Sequence, residues 1–185
     1  MDKIIVIGSP GAGKSTFARK LRDVTHLPLY YLDQLWHKPD QTNISKEEFD
    51  TRLGEWIQTD RWIIDGNYQR TLEIRMKVCD TVFLLDFPVE TCLLGVQSRI
   101  GAKREDLPWV ETEFDEEFRQ AILDFPGKKL PQIYELIDRY GKEKQVFIFR
   151  SREEEDEYLE KFGNQEFGRR INEQRMLRDK HENTI

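Results

Sequence analysis

Residues 4–16 read Ile-Ile-Val-Ile-Gly-Ser-Pro-Gly-Ala-Gly-Lys-Ser-Thr, an apolar run closed by a glycine-rich turn that ends in Lys-Ser. Ile4 to Ile7 is continuous rather than alternating, the pattern of a strand buried on both faces of a parallel sheet. Gly8 to Ser15 fits G-x-x-x-x-G-K-[S/T] at every fixed position. A chance match in a chain of this length is on the order of 1% at average residue usage, and the match falls where the motif needs it, after a strand and before a helix. Glycines admit backbone torsions that let successive N–H groups turn inward around a phosphate, and the following helix adds the positive end of its dipole. Gly8, Pro10, Gly11, Ala12, Gly13, Lys14, Ser15 and Thr16 are therefore the expected nucleotide-binding residues. Lys14 serves the β- and γ-phosphates, and the Ser15 hydroxyl serves Mg²⁺.

Outward from this loop, helical and strand patterns alternate. Phe17, Ala18 and Leu21 lie at helical spacing up to Pro28, and Leu29 to Leu32 reads as a second strand. Ser45-Lys46-Glu47-Glu48 is a capping box before the helical face Phe49, Leu53, Trp56 and Ile57. Trp62 to Ile64, Thr81 to Leu85 and Gln145 to Phe149 are three more strands, with Pro88 suited to the first turn of a helix through Cys92, Leu93 and Val96. A second capping box, Ser151-Arg152-Glu153-Glu154, opens a helix that should end near Phe162. Five short strands alternating with helices specify a three-layer α/β fold around a parallel sheet. An insertion at about 100–144 is too long for a plain connection, and helices are expected within it at 112–123 and 131–140. This divides the chain into a phosphate-loop domain, 1–162, and a charged tail, 163–185, that is helical or disordered.

The chain of 185 residues has 29 Lys+Arg against 35 Asp+Glu, a net charge of −6. That is the wrong sign for a protein that holds nucleic acid by neutralising phosphates. Cys79 and Cys92 lack metal or redox spacing and read as reduced, buried thiols, and His26, His37 and His181 show no ligand spacing. With no leader-like segment and no long apolar run, the expectation is a cytoplasmic protein away from membranes, monomeric or dimeric.

Carboxylates follow the strands on the edge where ligands bind in an open parallel sheet. Asp65, after the third strand, is read as the acid facing Mg²⁺ or its water shell, with a helix cap as the other reading. Asp33, after the second strand, could orient an acceptor hydroxyl or hydrate the metal, beside a loop that carries Trp36 and His37. Asp86 reads as a turn residue outside the site. Phosphoryl transfer also needs cations around the spreading charge. Candidates are Arg70 and Arg75 after the Asp65 turn, and Arg99, Lys103, Arg104 and Arg119 in or near the insertion, with about half expected to be incidental in a chain this charged. The resulting expectation has Lys14, Asp33, Asp65, Arg99, Arg104 and Arg119 as catalytic residues. Asp33, Trp36, Arg70 and Arg75 are the expected acceptor contacts.

The stretches Gly8 to Thr16 and Ile63-Ile64-Asp65-Gly66-Asn67-Tyr68-Gln69-Arg70-Thr71 resemble the adenylate-kinase-like branch of phosphate-loop proteins. With Leu32 to Pro39, Phe83 to Pro88 and Phe147 to Ser151, the chain more closely resembles the small bacterial DNA topology modulation proteins of the FlaR type, over about residues 1–162. The resemblance implies a sheet of order 2-3-1-4-5, an acceptor region at 33–60, a lid in the insertion, and Arg70 as an acceptor-phosphate arginine. Adenylate kinases carry Phe-Pro-Arg directly after Asp-Gly, whereas here Asn67-Tyr68-Gln69-Arg70 is one residue longer. Two functions follow as expectations. One is ATP- and Mg²⁺-dependent phosphoryl transfer to a nucleoside, nucleotide or related metabolite. The other is an ATP-binding switch in a nucleic-acid process such as DNA topology, which the family name alone keeps open. No Asn-Lys-x-Asp guanine-reading motif occurs.

Overall fold

β1 (Lys3–Gly8) lies at the centre of a five-stranded parallel sheet of order β2-β3-β1-β4-β5. The computed structural model describes the backbone of residues 1–182 and the side chains of residues 1–169. β1 pairs with β3 (Trp62–Asp65) on one side and β4 (Thr81–Leu85) on the other, with Ile5 opposite both Ile64 and Val82. β2 (Leu29–Tyr31) and β5 (Gln145–Phe149) are the edges. Ile4 to Ile7 are all fully buried, which is why the run does not alternate.

Alternate residues of β1 serve two cores. Ile5 and Ile7 pack toward α2 (Leu32–Trp36), α3 (Lys46–Gln58), α4 (Gln69–Val78) and α7 (Leu130–Tyr140), while Ile4 and Val6 pack toward α1 (Lys14–Thr25), α5 (Val89–Gln97) and α8 (Arg152–Glu182). Phe17 of α1 stands edge-on to Phe83 at 4.9 Å; burying such a ring contributes about 2–3 kcal/mol. Both serine caps form: Ser45 Oγ accepts from Glu48 N at 3.1 Å, and Ser151 Oγ from Glu154 N at 3.3 Å, while the Glu154 carboxylate accepts from Arg150 N at 2.7 Å.

Three features depart from the sequence reading. Leu32 belongs to α2 rather than β2, because Leu32 and Leu35, three apart, both face the core. In the insertion, α6 (Glu116–Lys128) starts later than 112 because Asp115 caps it, accepting from Glu117 N and Phe118 N. α6 and α7 are also core elements, burying Ile122, Phe125 and Ile133. Finally, α8 continues unbroken past Phe162 to Glu182, so its backbone runs through most of the charged tail.

Glu155 of α8 is 4% exposed, faces Lys20 of α1 at 3.8 Å, and has Arg152 and Asp156 as its other charged neighbours. Burial pushes its carboxyl from 4.5 up to about 7, against the pull of Lys20. The folded state then holds this proton more tightly than the unfolded chain, so the group's contribution to stability falls as pH rises from about 4.5 to about 7. Glu155→Gln should raise stability at pH 8 by up to about 3 kcal/mol and change it little at pH 5, read by denaturation at the two pH values.

Candidate active site

The carboxyl ends of β1 and β3, the first turn of α1 and the segment 98–115 before α6 enclose a cavity of about 680 Å³. Pro10, Gly11, Gly13, Lys14, Ser15 and Thr16 form one wall. Gly13 is the N-cap of α1 with φ 98°, a torsion that glycine supplies without strain. Gly8 and Ala12 shape the loop from behind. Gly8 N–H donates to Asn67 Oδ1 at 3.0 Å and its carbonyl accepts from Asn67 Nδ2 at 2.8 Å, while Ala12 is fully buried. The loop also rests on α5 backbone to backbone: a Cβ on Gly95 would stand 2.2 Å from the Gly11 carbonyl oxygen. The sequence reading missed Gly95, since its helical context shows no sign of that contact.

Lys14 Nζ donates to the Ser9 carbonyl at 3.0 Å. Burial lowers its pKa below the ordinary lysine value, and the charges of Asp65 and Asp33 pull it back up. Asp65, 4% exposed at the end of β3, is pushed up to about 7 by burial, against the pull of Lys14. Its Oδ1 has no hydrogen-bond partner among the described residues. An orphaned carboxylate oxygen in the cavity wall beside the Ser15 hydroxyl fits a hydrated Mg²⁺, which keeps waters and takes one or two carboxylates plus substrate phosphates. No group of three His, Cys, Asp or Glu placed to hold a metal by itself occurs among the described residues.

The 98–115 segment brings both cations and their counter-charges. Arg99 Nε lies 3.0 Å from Glu111 Oε2, and Arg104 Nη1 lies 2.5 Å from the same oxygen. Arg104 also grips Asp106, whose carboxylate is 2% exposed, accepts from Ser15 Oγ at 3.1 Å and lies 3.5 Å from Arg19. The segment is anchored through Glu105, which pairs with Arg22 at 2.5 Å and accepts from the Tyr31 hydroxyl at 3.1 Å. Asp106, Glu111 and Arg19 escaped the sequence reading because nothing local marks them out among so many charges. Arg152, at the start of α8, also lines the cavity, with its guanidinium over Phe87 at 5.7 Å.

Asp33, Asn67, Tyr68, His37 and Trp109 also line the cavity. Tyr68, at φ 34°, turns its hydroxyl to donate to Asp33 Oδ1 at 2.9 Å. Burial, reinforced by Asp33, raises the Tyr68 pKa far above the ordinary phenol value. His37 and Trp109 meet edge to face at 5.0 Å, bringing the segment against the residue that follows α2.

Lys14, Ser15, Asp33, Asp65, Arg99 and Arg104 thus share one cavity, and besides Gly8 and Ala12 behind the loop five other residues from the sequence reading do not line it: Trp36, Arg70, Arg75, Arg119 and Lys103, the last of them exposed. Arg75 is fully buried on the sheet-facing side of α4, its guanidinium donating to the carbonyls of Gly66, Asn67 and Tyr68. It braces the turn after β3 from outside the cavity lining. Arg70 points outward to Asp50 of α3 at 2.6 Å. Arg119 pairs with Glu116 on the exposed face of α6, about 100° around the helix from Phe118, which lines the cavity. Trp36 packs edge-on against Phe49 and Tyr68, at 5.8 and 6.4 Å, and supports Tyr68 from behind. Asp86 accepts from Tyr134 at 2.7 Å, outside the cavity. Arg75→Ala should cost on the order of 3 kcal/mol by leaving buried carbonyls unpaired, whereas Arg70→Ala should cost less than about 1 kcal/mol; chemical denaturation of both checks this.

No family model matches the chain, and no curated protein matches it in sequence. Solved structures do share its fold. Shikimate kinase from Acinetobacter baumannii in complex with shikimate superposes with TM-score 0.56 at 19% identity, covering 87% of this chain and 90% of that one. Shikimate kinase from Bacteroides thetaiotaomicron gives TM-score 0.51 at 15% identity, covering 87% and 96%. A gluconokinase from Sinorhizobium meliloti 1021 gives 0.50 at 13% identity, covering 92% and 97%. The fold is that of phosphate-loop kinases.

Proposed function

We propose that the chain is an ATP-dependent phosphotransferase acting on the hydroxyl group of a small acceptor, a nucleoside or related metabolite. The observation that carries the reading is that one cavity is lined both by the phosphate loop with Lys14 and by a carboxylate paired with a phenol, Asp33 with Tyr68. A module that only binds ATP has no use for a second, polar subsite beyond the phosphates. The fold neighbours named for shikimate and gluconate phosphorylation agree in reaction class.

In this reading the ATP phosphates lie on the loop N–H groups and Lys14. Arg99 and Arg104 exchange Glu111 and Asp106 for the transferring phosphoryl group, supplying charge where it spreads. Asp33 accepts the proton of the acceptor hydroxyl as that oxygen bonds to the γ-phosphorus. The bond from the γ-phosphorus to the β,γ-bridging oxygen breaks, leaving ADP and a phosphomonoester, and Asp33 passes the proton to solvent. Mg²⁺ would be held by Ser15 and, through water, by Asp65, and supplies neutralisation of the phosphate oxygens when bound.

A cytoplasmic setting, where ATP is abundant, fits the two free, buried thiols Cys79 and Cys92. A role in DNA topology, which the family resemblance carries, would call for a cationic face. With net charge −6 and Arg19, Arg99 and Arg104 each facing a carboxylate, we assign the site to small molecules. The experiment is a phosphoryl-transfer screen with ATP and Mg²⁺ against nucleosides, monophosphates, sugars and hydroxy acids. Failure of every acceptor, together with tight DNA binding that weakens steeply with salt, would leave an ATP switch instead.

A further inference from the structure

We infer that the acceptor is a hydroxyl compound carrying no anionic group, neither phosphate nor carboxylate, received by the Asp33–Tyr68 pair with Tyr68 as a positioning residue. This deepens the phosphotransferase reading and rests on it. An anionic acceptor must find a cation or several free donors where its charge comes to rest, because burying an unpaired charge is costly.

Among the described residues, the Lys and Arg side chains that line the cavity are Lys14, Arg19, Arg99, Arg104 and Arg152, and each is tied to the phosphate loop, to α1 or to the carboxylates of the 98–115 segment. Lys14 is part of the phosphate loop. Arg152 lies beside that loop, its Nη1 and Nη2 each 3.2 Å from the points where a Cβ of Gly13 and of Gly95 would stand. Arg19 and Arg104 converge on Asp106, which is hydrogen-bonded to Ser15, and Arg99 shares Glu111 with Arg104.

The two arginines after the Asp65 turn do not serve the acceptor end: Arg70 is held outside by Asp50, and Arg75 is spent on three backbone carbonyls. What faces the acceptor instead is a carboxylate. Asp33 Oδ1 accepts from the Tyr68 hydroxyl, which leaves the other oxygen to accept from a hydroxyl of the acceptor. A phosphate or carboxylate brought to the same place meets a like charge. Trp109 and Leu107, from the segment over the cavity, add the apolar face that the C–H side of a sugar or cyclitol ring uses.

The test is calorimetric titration of the full chain, with Mg²⁺, by ATP and by diadenosine pentaphosphate, which joins ATP to an adenosine monophosphate. A site built for a phosphorylated acceptor binds the pentaphosphate far more tightly than ATP, since both halves find partners. The expected result is affinity within about threefold of ATP; a gain of tenfold or more overturns the inference and leaves the kinase reading intact. Failure to bind ATP overturns both. Transfer assays on matched pairs, each neutral polyol or nucleoside against its phosphate- or carboxylate-bearing counterpart, should favour the uncharged member by roughly a hundredfold in kcat/KM. Preference for the anionic member overturns the inference.

Discussion

Lys14→Ala is expected to abolish phosphoryl transfer, lowering kcat/KM by a factor on the order of 10³ or more, while the chain stays folded. The loss is large because the lysine's ammonium is the cation built into the loop, whereas Arg99 and Arg104 arrive already paired with carboxylates. Stability should hardly suffer. In the ligand-free protein Lys14 donates to a single carbonyl, that of Ser9, and burial already works against its charge. Removing it relieves that desolvation. Steady-state kinetics beside thermal denaturation checks both halves, and a folded variant with full activity would refute the assignment.

Asp65→Asn is expected to lower Mg²⁺-dependent turnover on the order of a hundredfold with a much smaller change in ATP affinity. The amide keeps the shape of the carboxylate and removes the charge that a hydrated cation would meet at Oδ1, the oxygen without a partner among the described residues. The ligand-free variant should be at least as stable as the parent above neutral pH. There burial disfavours the charge of Asp65, and the variant no longer carries it. Turnover as a function of Mg²⁺ concentration, with calorimetric nucleotide affinity beside it, separates the two effects. An unchanged metal dependence would return Asp65 to the role of a turn residue.

The phosphate loop was legible because its function is carried by consecutive backbone groups. Gly11 and Gly13, at φ 83° and 98°, are needed as glycine for torsions set within the loop itself. Asp33 and Asp65 were legible for a related reason: Asp65 ends β3 and Asp33 follows two residues after β2, so both emerge at the carboxyl ends of neighbouring parallel strands. The arginines were not. Arg70 and Arg75 share a helix and a sequence neighbourhood, yet one meets Asp50 across α3 and the other lies beneath the turn at Gly66. Helix phase separates them, and that phase depends on where α4 begins and which face meets the sheet. Arg119 misled for the same reason, once Asp115 set the start of α6.

By itself, the sequence determined the buried parallel sheet, the glycine-rich loop after β1 and the carboxylates near the strand ends, because those features follow from short-range periodicity and from contiguous loops. Tertiary structure alone decided which distant charges converge. Asp106 meets Ser15 across 91 positions of chain, Tyr68 meets Asp33 across 35, and Gly95 touches Gly11 through backbone atoms. Such pairings arise from how packed helices bring separate segments together, and a one-dimensional pattern of residue types leaves no record of them. The pairing of the Asp33 carboxylate with the Tyr68 phenol is of this kind, and it therefore emerged only when the chain was folded.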